Sequence, residues 1–188
     1  MKELKECIKS MDSNKAAGDD EITNLFLKNL PDNKLTELLS LINKSWRTSE
    51  IPTTWKNALI MPIPKPGKDL TDPKSYRPIS LLSCVGKVAE KMVNTRLTWY
   101  LEKQLKYSPT QYGFRPGRST EDPLVKVDHQ IRASLVNRKI TIAVFFDLKS
   151  AFDTINHGHI LYKLSNLGSP GIYSDGLRHA CMRQSIRS

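Results

Sequence analysis

The chain has 188 residues and a formal charge of +10, from 29 Lys and Arg against 19 Asp and Glu. That length supports one domain with a real core, or part of a larger one, and a second full domain would be a tight fit. The charge surplus points toward a polyanionic partner such as nucleic acid.

Three cysteines, Cys7, Cys84 and Cys181, are far apart and odd in number, so neither a disulfide framework nor a Cys-x-x-Cys zinc site is indicated. The first residues, MKELKECIKSMDSNK, lack the apolar core of a signal peptide, and no apolar run reaches membrane-spanning length. The expectation is a soluble, intracellular protein, nuclear or cytoplasmic, with no membrane partner.

In chain order, Asp32 reads as an N-cap, and Leu35, Leu38, Leu39, Ile42 and Trp46 follow at helical spacing up to residues 49–52. Residues 58–63 form a short apolar run, and PKPGK (64–68) then breaks any regular element with its prolines and glycine. Residues 74–83, KSYRPISLLS, return toward extended structure, so a hairpin with lysines at its tip is expected. From Cys84 to Gln104, Val85, Val88, Ala89, Met92, Val93, Leu97 and Leu101 mark a long helix whose other face is basic.

Residues 108–118, SPTQYGFRPGR, read as a loop. Ser119 or Thr120 caps a helix to about Arg138, with Leu124, Val127, Ile131 and Leu135 on one face and Pro123 in the tolerant first turn. Residues 140–146, ITIAVFF, are expected to be a strand buried on both faces, with Asp147 at its end. A turn and a helix closed by Gly168 complete the pattern.

Charge is concentrated in the middle of the chain. Residues 61–120 carry eleven Lys or Arg and four acids, which is +7 of the total. Asp147 is the first acid to consider, because a rigid strand end delivers a side chain into a cleft; the bland alternative is a helix cap or turn former. His157 and His159 share no helical face and have no Cys or Glu at ligand spacing, so the sequence offers no metal site there.

The residues after Asp147 sharpen this. FFDLKSAFD (145–153) resembles the first metal-binding motif of the reverse transcriptase palm, and DLKSAFDTINH is similar to the non-LTR (LINE-type) retrotransposon branch, jockey-like elements included. Residues 65–92, KPGKDLTDPKSYRPISLLSCVGKVAEKM, are similar to the fingers motifs of that family, and QYGFRPGRSTEDPL (111–124) to the segment after them. NKAAGDDEI (14–22) resembles the family's opening motif, where Lys-Ala-Pro-Gly-Pro-Asp-Gly-Ile is usual; Ala17, Asp19 and Glu21 depart from it. Four motifs in family order make chance an unattractive explanation.

The resemblance implies an α+β right-hand polymerase. Residues 1–139 would be a fingers-type region of helices plus a basic hairpin, and 140–188 the start of the palm with its first strand. It implies Mg²⁺, with Mn²⁺ as the substitute, because polymerisation uses two metal ions to clamp attacking and leaving oxygens. Asp147 would be a bridging ligand and the Leu148 carbonyl a second donor, while Asp153 reads as structural. Ala151 and Phe152 would lie at the incoming sugar, Phe152 as a steric gate against the 2′-hydroxyl; its bland alternative is a core aromatic.

Arg77, then Lys65, would bind the triphosphate; the competing reading is that both solvate a loop, while Lys68 and Lys74 are expected to contact backbone or to be exposed. Gly113, Phe114 and Arg115 would form the loop near the templating base and nucleotide, and Arg115 and Arg118 could equally hold template phosphates. The partners implied are an RNA template, a DNA primer and deoxynucleoside triphosphates.

The family's second metal motif, a Tyr or Phe-Ala-Asp-Asp hairpin, is absent from the 188 residues, as are the Gln-Gly motif before it and a thumb. The expectation is a truncated reverse transcriptase that binds nucleotide or RNA weakly and does not polymerise alone. The alternative is a non-catalytic RNA-binding remnant or domesticated fragment. An intron maturase fits the motif wording less well, and an RNA-dependent RNA polymerase must accept the 2′-hydroxyl that Phe152 would repel.

Overall fold

In the computed structural model of the chain, residues 1–148 and 154–168 are described. They fall into two compact units, one of Met1–Leu97 with the described residues from His157 onward, the other Thr98–Asn156.

The first unit is a helical layer that carries a hairpin. Helices α1 (Lys2–Lys9), α2 (Asn24–Lys28), α3 (Asp32–Thr48) and α4 (Thr53–Lys56) each turn an apolar stripe inward. Leu4, Cys7 and Ile8 of α1, Leu27 of α2, Leu35 and Ile42 of α3 and Trp55 of α4 are all buried in one cluster. Cys84, Val85, Val88, Ala89 and Met92, from the start of α5 (Cys84–Lys103), complete it. Removing each aliphatic side chain from water stabilises the fold by about 1.5–3 kcal/mol.

An ion pair with an aromatic lid joins α1 to α5. The Arg96 guanidinium donates to both carboxylate oxygens of Glu3 and lies 4.7 Å from the centroid of the Trp46 ring. One cation of the basic stripe is thus neutralised internally. Burial pushes the thiols of Cys7 and Cys84 above their ordinary value, so both free cysteines stay protonated at neutral pH.

The long helix begins at Asp32 as its pattern indicates, but Pro31, in extended conformation, is the N-cap and Asp32 lies in the first turn. A carboxylate there still favours the helix dipole, and it also pairs with Lys5 at 2.7 Å. The helix stops at Ser49, in the left-handed region with φ 54, where the Ser45 hydroxyl donates to the Glu50 carbonyl at 2.6 Å.

The expected hairpin forms. Strand β1 (Ala58–Pro64) pairs antiparallel with β2 (Tyr76–Leu82), with Ala58 opposite Leu82 and Pro64 opposite Tyr76. Beyond the strand ends the Lys65 N–H donates to the Ser75 carbonyl at 2.8 Å, which makes residues 65 and 75 a hydrogen-bonded pair. Alternation then places Pro62, Pro64 and Pro78 at non-hydrogen-bonded positions, whose N–H groups would point outward. Three prolines therefore cost the ribbon no internal bond and remove donors from both of its edges.

Helix α7 (His157–Asn166) ends as anticipated at Gly168, with φ 71 and its N–H bonded to the Ser165 carbonyl. In the second unit, α6 (Glu121–Val136) starts from a capping box. The Ser119 hydroxyl accepts from the Glu121 and Asp122 N–H groups, while the Asp122 carboxylate accepts from the Ser119 N–H at 2.7 Å. Of the two candidate caps, Ser119 supplies the oxygen. No residue of α6 is buried, and Leu124, Val127, Ile131 and Leu135 face solvent.

The expected buried strand at 140–146 is corrected by the structure. These residues form no strand and are exposed, Ile140 at 92% and Phe146 at 90%. A strand makes its hydrogen bonds only with a neighbour, and among the described residues the one sheet is the β1–β2 ribbon. The side-chain preference is present and the partner is not. The described fold is thus mixed, helices with a small two-stranded antiparallel sheet, and compatible with part of a polymerase fold. No helix among the described residues is long and apolar enough to cross a membrane.

Candidate functional site

In the hairpin, the strand register places Arg77 opposite Ile63 and Lys65 opposite Ser75. Positions 63, 65, 75 and 77 share one face of the ribbon, so Lys65 and Arg77 are diagonal neighbours at its distal end. The Lys65 ammonium donates to the Lys74 carbonyl at 2.6 Å. Arg77 is exposed and, among the described residues, makes no ion pair.

The turn that joins the strands is held by its own acids. Asp69 accepts from the Thr71 N–H at 2.9 Å and its hydroxyl at 2.8 Å, and these bonds hold its carboxyl below the usual carboxylate range. Asp72 accepts from the Lys74 N–H at 2.9 Å, and the Tyr76 hydroxyl donates to the Leu70 carbonyl. Carboxylates that serve the backbone leave the loop's outer surface to Lys68 and Lys74, both exposed.

At the other end of the ribbon, Gly18 is pressed against the junction of β2 and α5. A Cβ there would stand 2.6 Å from the Leu82 carbonyl carbon and 2.6 Å from the Ser83 nitrogen. Only glycine fits against that backbone. One departure beside it meets a backbone constraint: Glu21, where the family motif has glycine, adopts a left-handed φ of 55, and its N–H donates to the Gly18 carbonyl at 3.1 Å. The opening motif is therefore the seat on which the hairpin's base rests, a role its sequence did not reveal.

In the second unit, Arg115 is committed to its own loop. Its side chain is only 10% exposed, and the guanidinium grips both oxygens of Glu102 at 2.7 and 2.9 Å and also donates to the Ser108 and Gln111 carbonyls. It lies 5.1 Å from the Tyr107 centroid. The bidentate bond raises the Arg115 pKa and lowers that of Glu102. Nothing in the sequence linked Arg115 to Glu102, thirteen residues away. The clasp presents Phe114, at φ 60 and 93% exposed, beside an exposed Gly113.

Asp147 and Leu148 are exposed at the end of the 140–148 segment. A carboxylate and a carbonyl are the right oxygen donors for Mg²⁺. Their number is too small, since no group of three His, Cys, Asp or Glu that could hold a metal occurs among the described residues. One carboxylate and one carbonyl do not by themselves hold an ion. Ala151 and Phe152, with Asp153, lie outside the described residues, as does Cys181.

Residues 63–187 match the sequence model of the family described as reverse transcriptase (RNA-dependent DNA polymerase). The chain belongs to the reverse transcriptase family. It is 35% identical over 89% of its length to the probable RNA-directed DNA polymerase from transposon BS of Drosophila melanogaster. It is 33% identical over 92% to the RNA-directed DNA polymerase from mobile element jockey of the same species, and 36% over 82% to the probable enzyme from transposon X-element. These matches make it a reverse transcriptase domain of the LINE type. The chain spans 18%, 19% and 17% of those three relatives. Because the matches cover more of the chain than residues 63–187, they take in helical layer before the hairpin as well as the motifs.

Proposed function

We propose that this reverse transcriptase domain supplies the nucleotide cradle and the first metal carboxylate of an RNA-directed DNA polymerase from a mobile element. Residues 1–139 act as its fingers and 140–188 as the start of its palm. The observation that carries the reading is the pairing of Arg77 and Lys65 on one face at the tip of a hairpin whose acids are turned onto its own backbone. Fixed cations at that spacing suit a triphosphate, and a guanidinium engages two phosphate oxygens at once.

Asp147 and the Leu148 carbonyl would hold Mg²⁺, or Mn²⁺ in its place, as part of a larger donor set. When bound, the metal neutralises the transferring phosphoryl group and lowers the pKa of the attacking hydroxyl. Ala151 and Phe152 would flank the incoming sugar, with Phe152 excluding the 2′-hydroxyl. Gly113 and Phe114 would lie toward the templating base, with Arg115 as the clasp that positions them. The substrates are deoxynucleoside triphosphates on a DNA primer and an RNA template.

The test is binding of a deoxynucleoside triphosphate with Mg²⁺ by the full chain, followed by titration calorimetry. Arg77→Ala should weaken it by at least about tenfold, since a hydrogen bond to a charged group contributes about 1.5–3 kcal/mol. Affinity unchanged by Arg77→Ala would overturn the cradle.

A second reading, a non-catalytic RNA-binding remnant, is favoured by one observation: Asp147 belongs to no cluster of metal-ligating side chains among the described residues. The 188 residues alone should show no Mg²⁺-dependent primer extension under either reading. Triphosphate binding that depends on Arg77 separates the two.

A further inference from the structure

We propose that Asp72 is a positioning residue of the triphosphate cradle: by capping the turn Pro73–Ser75 it holds the Lys74 and Ser75 carbonyls where they fix Lys65 beside Arg77. The role rests on the cradle reading, and the bonds that carry it are those of the hairpin itself.

Residues 65–75 join β1 to β2 and form a loop well beyond the about two to five residues usual in a hairpin. A loose loop of that length would leave Lys65 and Arg77 to be ordered only when a ligand arrives, at a cost in affinity. The loop instead returns to β2 through a 3₁₀ turn, Pro73–Ser75, with Asp72 as its N-cap. The Asp72 carboxylate accepts from the Lys74 N–H at 2.9 Å, and the Asp72 carbonyl accepts from the Ser75 N–H at 2.9 Å. Pro73 supplies a fixed φ inside the turn. Ser75 is buried, although the strands on either side are largely exposed.

Lys65 is bound to that turn twice. Its N–H donates to the Ser75 carbonyl at 2.8 Å, and its ammonium donates to the Lys74 carbonyl at 2.6 Å. Arg77 stands two residues past Ser75 and opposite Ile63, itself two residues before Lys65. Both cations are thus placed from one turn. A carbonyl engages part of the ammonium and neutralises none of its charge, so Lys65 keeps donors for phosphate oxygens.

The charge of Asp72 makes the role testable by sign. An exposed carboxylate in an anion-binding loop repels a triphosphate, so if charge were its only effect, removing it would tighten binding. Loss of the cap acts the other way, because the Lys74 N–H is untied and the two carbonyls that hold Lys65 turn with it. Asparagine keeps the capping oxygen without the charge and is as good an N-cap as aspartate. Asp69 is the matched control in the same loop, since its carboxylate bonds Thr71, and neither Lys65 nor Arg77 is tied to that residue by the bonds described.

The test is calorimetric titration of the full chain with deoxyadenosine triphosphate and Mg²⁺. Asp72→Ala should weaken binding about fivefold, the effect of one lost cap. Asp72→Asn should restore the wild-type affinity or exceed it. Asp69→Ala should leave affinity within about twofold, as expected for one exposed charge in salt. Hydrogen exchange of the Lys65 amide should quicken in Asp72→Ala and not in Asp72→Asn. Both acids are exposed, so circular dichroism should show the fold retained in all three variants. Unchanged or tighter binding by Asp72→Ala would overturn the positioning role. An equal loss in Asp72→Asn would overturn it too, since that marks the carboxylate's charge, and so would an equal loss in Asp69→Ala, which marks a loop loosened at any point. Triphosphate affinity indifferent to Arg77→Ala sinks the cradle and this role with it; affinity that needs Arg77 and ignores the Asp72 cap sinks this role alone.

Discussion

The two units solve the problem of apolar side chains in opposite ways. In the first, helices α1 to α4 and the start of α5 bury Leu4, Ile42, Val88 and Met92 almost completely in one cluster. In the second, α6 has a well-formed apolar stripe with none of it buried, and the apolar run at 140–146 stands in solvent. Periodicity therefore specifies which face of an element is apolar, and burial requires a neighbour that periodicity cannot supply. Stability should be concentrated in the first unit, and the residues offered for binding on the hairpin tip and in the second.

Truncations should expose that asymmetry most strongly. Ile42→Ala or Met92→Ala removes a fully buried side chain and should cost about 2–5 kcal/mol in urea unfolding. Leu135→Ala, on the exposed stripe of α6, should change stability by no more than about 0.5 kcal/mol. Equal losses at both places would mean that α6 is packed in solution and would erase the distinction.

Gly18→Ala probes where the hairpin is seated on the packed unit. The added methyl meets backbone on both the Leu82 and Ser83 sides, and neither can rotate away as a side chain could. Forcing it in should cost about 1–3 kcal/mol, read by the same unfolding experiment. Nitrogen–proton NMR shifts spreading from residues 82 and 83 into β2 would show the hairpin base moving. A neutral substitution would show that the opening motif does not rest on the hairpin.

The clasp in the second unit gives a pH-dependent test. Its bond to Arg115 lowers the Glu102 pKa in the folded chain. A depressed carboxylate contributes stability above its unfolded pKa, about 4.3, and loses it as pH falls through the folded value. Protection of the loop amides at 108–115 from hydrogen exchange should therefore fall below about pH 4. Glu102→Gln should remove that acid step and lower protection at neutral pH. An acid profile the same in wild type and variant would disconnect the loop from this pair.

The hairpin, α5, α6 and the end of α7 were all legible in the sequence, because turn residues, capping groups and a 3.6-residue period act within a few positions of each other. The strand at 140–146 was misplaced because its composition records a preference that only pairing realises. Arg77 and Lys65 could be selected by motif, and strand alternation then placed them on one face. Arg115 could be selected but not understood: its partner Glu102 is set by how the loop folds back on the helix, and no local pattern encodes that return. Arg96 was counted with the basic stripe for the same reason, since Glu3 lies ninety-three residues away.

A small gain in stability is expected at the one motif departure that the structure turns into a physical quantity. Glu21 holds a left-handed φ of 55, a conformation that costs a side-chain-bearing residue about 1–2 kcal/mol, and the family's usual residue at that place is glycine. Glu21→Gly removes this strain and adds about 0.5–1 kcal/mol of chain entropy to the unfolded state. The balance should be a gain of roughly 0.5–1 kcal/mol in urea unfolding. Glu21→Ala removes the carboxylate and keeps the Cβ, so it should give no such gain. If alanine and glycine stabilise equally, the carboxylate is the cause and the backbone is not. If only glycine does, this loop holds a strained residue in place, which the packing of Gly18 against Leu82 and Ser83 accounts for by fixing the turn from its other end.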